Sequence, residues 1–331
     1  MNKRNKKVRV GIVGVGHLGK HHVKHLVTID HVECIGFYDI DEPRAMVIAK
    51  KYNVKAYDSL EALLSECDAV TIVTPTDTHF NVASDCLAAG KHIFIEKPIT
   101  KTVAEAERLL TLANTNKVLI QVGHIERLNP ALIPLKNYSI SPKYIEIQRL
   151  APYDVRGTDV PVVLDKMIHD IDILLSLVNS EVESINANGI SILTDSVDIA
   201  NARIRFKNGT IANITSSRVA QDHVRKTKIF QQDIYITIDF LLGLTEVYRV
   251  IDPDEQDPDA IKDVRFQYGD KTKKIVYEKP DIPLLDALKA ELENFTNSVR
   301  GMGSPIVDGH AGKNALELAS NIHDLILEDL H

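Results

Sequence analysis

Two pairs of side chains have the types and spacing to do chemistry on an alcohol. The first is Glu96-Lys97, followed by Pro98. A lysine at this point can hydrogen-bond a substrate hydroxyl oxygen as negative charge develops on it. The second is Asp165 and His169, inside Leu164-Asp165-Lys166-Met167-Ile168-His169-Asp170-Ile171-Asp172. On a helix, Leu164, Ile168, Ile171 and Leu175 make an apolar face, and Asp165, His169, Asp172 and Ser176 make a polar stripe beside it. A carboxylate one turn from an imidazole fixes its tautomer and stabilises its protonated form. That suits a general base taking a proton from an alcohol while hydride leaves the same carbon. Each pair has a bland counterpart. Glu278-Lys279-Pro280 repeats the tripeptide, and Ile322-His323-Asp324-Leu325 also sets histidine beside aspartate in a helical stretch. Position has to separate them.

A hydride needs an acceptor, and the N-terminal stretch supplies a place for one. An apolar run at 8–13 leads into Gly14-Val15-Gly16-His17-Leu18-Gly19, and helical spacing follows over 17–29. Strand, G-x-G-x-x-G and helix form the dinucleotide fingerprint. Gly14 allows the tight turn, Gly16 lets backbone approach a pyrophosphate, and Gly19 allows close helix packing. The helix N-terminus offers free N–H groups to the phosphates. A second strand at 32–38 ends at Asp39, about 20 residues past the last glycine, where an acid binds the adenosine ribose hydroxyls. Asp39 would repel a 2′-phosphate, which favours NAD over NADP, although Arg44 lies close in sequence.

The 331 residues suffice for two domains, and 44% apolar content supports a true core. A net charge of −7 argues against a nucleic-acid partner. Cys34, Cys67 and Cys86 show no metal or redox spacing and read as free thiols in a reducing cytosol. The basic stretch 1–7 precedes an apolar run too short for a signal peptide, and no stretch is long enough for a membrane span. The expectation is a cytoplasmic protein. His21, His22 and His25 lack a third ligand at sensible spacing, so they read as a histidine-bearing helix surface and no metal is expected.

Helices at 42–51, from 58, at 81–89 and at 103–113 alternate with strands at 69–73, 92–95 and 118–122. The alternation predicts a doubly wound parallel sheet. Ligands bind such sheets beyond the carboxyl ends of the strands. Asp39, Thr74-Pro75-Thr76 with His79, Glu96-Lys97 and His124 all fall at such ends and are expected around one cleft. Only the first Glu-Lys-Pro stands there. From about residue 128 the pattern changes. Alternation at 144–150, a helix at 162–178 and strands at 182–186, 200–206, 210–216, 226–230 and 233–238 predict an α+β domain with an open-faced, mostly antiparallel sheet. Lys207-Asn208-Gly209-Thr210 marks a hairpin. Residues 252–263 read as a loop, and 284–300 and 312–327 as helices that return to the first domain. The expected boundaries are 1–125 for the dinucleotide domain and 126–331 for the substrate-binding and oligomerisation domain.

Taken together, these motifs resemble the glucose-fructose oxidoreductase / inositol dehydrogenase / MocA-like family. The match runs over Gly14 to Gly19, Thr74-Pro75-Thr76 with His79, Glu96-Lys97-Pro98, Asp165 with His169, and Gly312-x-x-Ala315-Leu316. The resemblance implies a Rossmann domain, a bound nicotinamide dinucleotide held by Gly14, Gly16, His17, Leu18, Gly19, Asp39, Thr74, Pro75, Thr76, His79, Glu96 and Lys97, and an open sheet that pairs copies into a homodimer or homotetramer. It also implies that Lys97 and His169 act on the substrate with Asp165 supporting His169; which of the two accepts the proton stays open.

A narrower likeness rests on residues 123–130, Arg149-Leu150-Ala151-Pro152, 156–160 and 164–172. It points to the branch that oxidises the 3-hydroxyl of UDP-N-acetylglucosamine for a following aminotransferase, as in lipid A sugar synthesis. Leu128 and Lys166 depart from that branch's usual residues. His124, Arg127, Asn129, Arg149, Arg156 and Asp172 are then the candidate substrate contacts, with Arg218 a further cation for a diphosphate. A dehydrogenase of inositol or a free sugar, and a non-catalytic NAD-binding sensor, are the alternatives.

Overall fold

The computed structural model describes residues 7–154 and 160–330, which leaves the expected contact Arg156 outside the described residues. The chain forms two compact units. One runs up to Leu128 and adds Asp286–Glu317; the other is Asn129–Leu285 with the residues from Leu318 onward.

The first unit carries a five-stranded, all-parallel sheet of β1 (Val8–Val13), β2 (Val32–Tyr38), β3 (Ala69–Ile72), β4 (His92–Glu96) and β5 (Ile120–Gly123) in the order β2-β1-β3-β4-β5. Val10, Ile12, Val70, Ile72, Ile93 and Ile95 are fully buried, as strands covered on both faces require. The connecting helices are α1 (Gly19–Leu26), α2 (Glu42–Tyr52), α3 (Leu60–Glu66), α4 (Thr76–Ala88) and α5 (Val103–Asn116). Their starts are coded locally. Asp41 caps Arg44 N on α2, Ser59 caps Ala62 N on α3, and Thr102 and Glu105 form a capping box on α5. Strand order reverses at β1 and β3, so their carboxyl ends open a crevice there. One boundary differs from expectation: α4 begins at Thr76, five residues early. Pro75, with φ −58°, stands at the N-cap and starts the helix as well as ending the strand, and Asp77 favours its first turn.

The second unit holds β6 (Tyr144–Leu150), α6 (Ile168–Leu177), β7 (Val182–Ile190), β8 (Ile199–Phe206), β9 (Ile211–Ser217), β10 (Val224–Gln231), β11 (Ile234–Asp239), β12 (Leu244–Ile251), β13 (Lys262–Tyr268) and β14 (Lys271–Glu278). The nine strands run β13-β14-β12-β11-β10-β6-β9-β8-β7, antiparallel except for β6 with β9. The Asn208-Gly209 turn joins β8 to β9, with Gly209 at φ +85°. The strands β12, β13 and β14 were not expected from the sequence. Lysines and acids break up the apolar alternation of β13 and β14, as suits strands towards a sheet edge. One sheet face buries Ile229, Ile236 and Val247 with Ile173 of α6. The opposite face carries a row of rings, Tyr144, Phe230, Tyr235, Tyr248 and Tyr277, with successive centroids 4.7–5.7 Å apart. Two helices follow the sheet, α7 (Ala287–Val299) and α8 (Gly309–Asp329). Among the described residues no helix is long and apolar enough to cross a membrane.

Candidate functional site

The crevice at the ends of β1 and β3 is a cleft of about 560 Å³, lined by Gly14, Gly16, His17, Leu18, Asp39, Arg44, Thr74, Pro75, His79, Glu96 and Lys97 together with apolar side chains that include Val13, Ile40 and Val82. The glycine turn is shaped by exclusion. Gly14 has φ +86°, and a Cβ on Gly19 would lie 2.0 Å from the Gly14 carbonyl oxygen. A Cβ on Gly16 would meet nothing within 4 Å. Gly16 thus leaves open space for a ligand rather than relieving a clash, and this backbone cradle fits a dinucleotide pyrophosphate.

Asp39 does more than wait for a ribose. Its Oδ2 accepts the Val15 amide at 2.7 Å and its Oδ1 accepts the Asp41 amide at 2.8 Å, so the carboxylate ties β2's end to the glycine turn. Arg44 Nη1 stands 3.4 Å from the same Oδ1.

The other side of the cleft comes from the ends of β3 and β4. His79, on α4 and only 1% exposed, has Nε2 2.9 Å from the Thr74 carbonyl and Nδ1 2.9 Å from the Pro98 carbonyl. A neutral ring donates to one of these oxygens only; burial lowers its proton affinity, while both carbonyls and the Glu96 carboxylate raise it. His79 thereby links the Thr74-Pro75 loop to the Glu96-Lys97-Pro98 loop. Thr76 and Gly19 shape the cleft's backbone and lie outside its lining; His124, after β5, is buried and also outside it.

The histidine-rich face of α1 is not surface at the position that matters. His22 is fully buried, and its Nε2 lies 3.1 Å from Glu96 Oε1. His25 is nearly buried, 3.7 Å from Asp286. The signal was present: Gly19, His22, Val23 and Leu26 follow helical spacing along the buried face.

In the second unit, Asp165 stands in a π-helical turn, Val163–Met167, that runs directly into α6 carrying His169. Such turns place an extra residue in the helix and recur at functional sites. Lys166 Nζ is 3.5 Å from Asp165 Oδ2, both side chains being about one-third exposed. Asp172 is buried at 1% exposure. Arg149 grips Asp170 through Nε at 2.7 Å and Nη2 at 2.9 Å, both residues buried, so its fork holds the helix of His169. Arg218 is buried too, donating to the Val160 and Val197 carbonyls and lying 3.6 Å from Asp198. Asn129 caps the short helix that starts at Pro130, accepting from Ala131 N at 3.1 Å, and Arg127 is half-buried in the turn before it. The second tripeptide is structural: Glu278 accepts from Tyr138 and Arg249 and joins the end of β14 to β12.

The burial of Cys34 and Cys67 pushes their thiols up to about 11, and Cys86 is also buried and raised.

Known proteins place this arrangement in context. A family model described as an oxidoreductase family with an NAD-binding Rossmann fold matches residues 8–124, and the C-terminal domain model of the same family matches 154–237. A UDP-N-acetylglucosamine 3-dehydrogenase from Acidithiobacillus ferrooxidans is 36% identical over 95% of this chain and 96% of its own. Its solved structure superimposes with a TM-score of 0.87, covering 98% of this chain and 99% of that one at 35% identity. A myo-inositol 2-dehydrogenase from Thermotoga maritima is 28% identical over 94% of each chain.

Proposed function

The chain belongs to the Gfo/Idh/MocA family of NAD-binding oxidoreductases and is an NAD(P)-dependent dehydrogenase; on that premise we propose that it oxidises the 3-hydroxyl of UDP-N-acetylglucosamine to the 3-keto sugar. The observation that carries the substrate is the likeness to the A. ferrooxidans enzyme along nearly the whole of both chains. The myo-inositol enzyme, also similar end to end, supports a polyol as the second reading.

NAD, when bound, supplies the hydride acceptor. Gly16 presents backbone to its pyrophosphate and Asp39 its carboxylate to the adenosine ribose. In our reading His169 accepts the hydroxyl proton, and Asp165 steadies the charged imidazole. Lys97 donates a hydrogen bond to the same oxygen while it becomes a carbonyl. Exchange of the His169 and Lys97 roles gives the same net reaction. His124, Arg127, Asn129 and Asp172 are the remaining proposed substrate contacts; Arg149 contributes by holding Asp170. The keto product suits a following aminotransferase that makes an amino sugar of the lipid A type. We also assign the ring-bearing sheet face to a second copy of the chain, in a cytoplasmic dimer or tetramer, which light scattering tests.

The test is NADH formation from NAD with UDP-N-acetylglucosamine, free sugars and inositols in parallel, repeated with glutamate and a matching aminotransferase to remove the keto product. Turnover confined to the nucleotide sugar supports the proposal. Turnover confined to a polyol overturns its substrate. NAD binding with no turnover of any of them overturns the catalytic reading in favour of a sensor. His169→Ala and Lys97→Ala should each lose most turnover while NADH binding persists.

A further inference from the structure

The inner face of α1 meets the end of β4 through one polar contact. His22 is fully buried, its ring edge-on to Phe94 at a centroid distance of 5.4 Å, and its Nε2 is 3.1 Å from Glu96 Oε1. Glu96 lines the cleft with Lys97 and keeps 16% of its side chain exposed there. Its other oxygen lies against the bare Cα of Gly123 on β5, where a Cβ would come within 3.0 Å of Oε2. The carboxylate is therefore confined from α1, β4 and β5 at once.

The tautomer follows from the partners. A carboxylate accepts, so the imidazole must carry its proton on Nε2 to bond it. His22 Nδ1 is buried and meets no hydrogen-bond partner among the described residues. A second proton on Nδ1 would have no acceptor, so the neutral Nε2–H form is the one the pocket fits.

We propose that His22 is a positioning residue for the Glu96-Lys97 pair: by donating Nε2–H to Glu96 it fixes the strand end from which Lys97 reaches the reacting oxygen. Asp39 holds the ribose end of the cofactor independently, so loss of the His22 contact disturbs the chemical step more than dinucleotide binding. The consequence for turnover rests on the reading of Lys97 given above; the contact and its tautomer do not.

The test compares His22→Leu with His22→Gln. In the latter the amide nitrogen stands the same number of bonds from Cβ as imidazole Nε2 and can donate to Glu96, whereas leucine fills space only. We expect His22→Leu to lower kcat by about tenfold or more with the Kd for NADH changed by less than about twofold, and His22→Gln to recover most of that loss. Adding His22→Leu to Glu96→Gln should cost little beyond Glu96→Gln alone. Wild-type kcat in His22→Leu would overturn the proposal. So would equal loss in both variants with a parallel fall in melting temperature, which marks a packing role. A separate arm needs no substrate: imidazole nitrogen NMR on the wild-type protein should show His22 protonated on Nε2, with a resonance that moves in Glu96→Ala. Protonation on Nδ1, or no response to Glu96, refutes the contact. Should the wild type turn over nothing, the functional reading has failed and this arm alone decides.

Discussion

Replacing Asp39 with asparagine separates the two jobs its carboxylate holds. Oδ2 takes the Val15 amide at 2.7 Å and Oδ1 the Asp41 amide at 2.8 Å, with Arg44 Nη1 3.4 Å away. In Asp39→Asn the side-chain oxygen still accepts from Val15, so the glycine turn stays tied. What disappears is the negative charge and one acceptor, because the amide nitrogen that replaces Oδ1 cannot accept from the Asp41 amide. Hydrogen bonds to a charged acceptor are worth about 1.5–3 kcal/mol and neutral ones about 0.5–1.5, so NAD should bind about 1–2 kcal/mol more weakly, roughly 5- to 30-fold. NADP moves the other way, because its 2′-phosphate no longer meets a like charge and the half-exposed Arg44, still paired with Asp41 through Nη2, has its Nη1 freed from Asp39. The two effects together shift the NAD-to-NADP preference by about 100-fold. Fluorescence titration with NADH and NADPH reads it directly, and the NADPH gain should shrink with added salt. An unchanged preference in Asp39→Asn refutes the assignment of Asp39 to the ribose. Asp39→Ala is the control for the structural job. It leaves the buried Val15 amide without its acceptor at a cost of about 1–3 kcal/mol, and its melting temperature should fall further than that of Asp39→Asn, which gives up only the Asp41 amide's acceptor.

Gly16→Ala should melt like the wild type and lose NADH affinity, since its methyl enters empty cleft, whereas Gly19→Ala, with its methyl 2.0 Å from the Gly14 carbonyl, should lose stability as well; calorimetry beside NADH titration separates them. Arg149→Met removes the guanidinium that pairs with the buried Asp170 carboxylate and should cost about 3–5 kcal/mol in urea unfolding, and the paired Arg149→Met, Asp170→Leu change should recover most of it. Asp198 accepts the Ile192, Leu193 and Thr194 amides and the Thr194 hydroxyl; burial alone would raise its pKa, but these donors outweigh it and hold it at about 2, below the ordinary 3.8. Its contribution, about 2 kcal/mol, is fully present above about pH 5 and lost as pH falls through 3.8 towards 2. Urea midpoints between pH 2 and 5 should therefore be flatter with pH in Asp198→Asn, and an equal slope refutes the assignment.

What could be read from the sequence was whatever is coded by neighbours. The glycine turn, Asp39 and the Glu96-Lys97 strand end follow from one strand-turn-helix period and from the rule that ligands meet strand carboxyl ends, and the structure gathers these residues in one cleft. The Asn208-Gly209 hairpin is coded the same way. What escaped depends on a partner far along the chain. His22 is 74 residues from Glu96, and in sequence a histidine between a histidine and a valine looks like any other on α1. Arg149 is 21 residues from Asp170, so nothing beside it in sequence announces that this proposed substrate cation also pairs with a buried carboxylate. Strands β13 and β14 escaped for a related reason. Their lysines and acids erase the apolar alternation of a buried strand, and β13 is held at the sheet edge by pairing with β14 along seven registered residues, Lys262 to Tyr268. The spacing that announces a ligand site is thus local, while the contacts that hold its side chains in place are long-range. His22→Leu and Arg149→Met probe this second set, in which an apolar residue of similar bulk preserves the local pattern and removes only the distant partner.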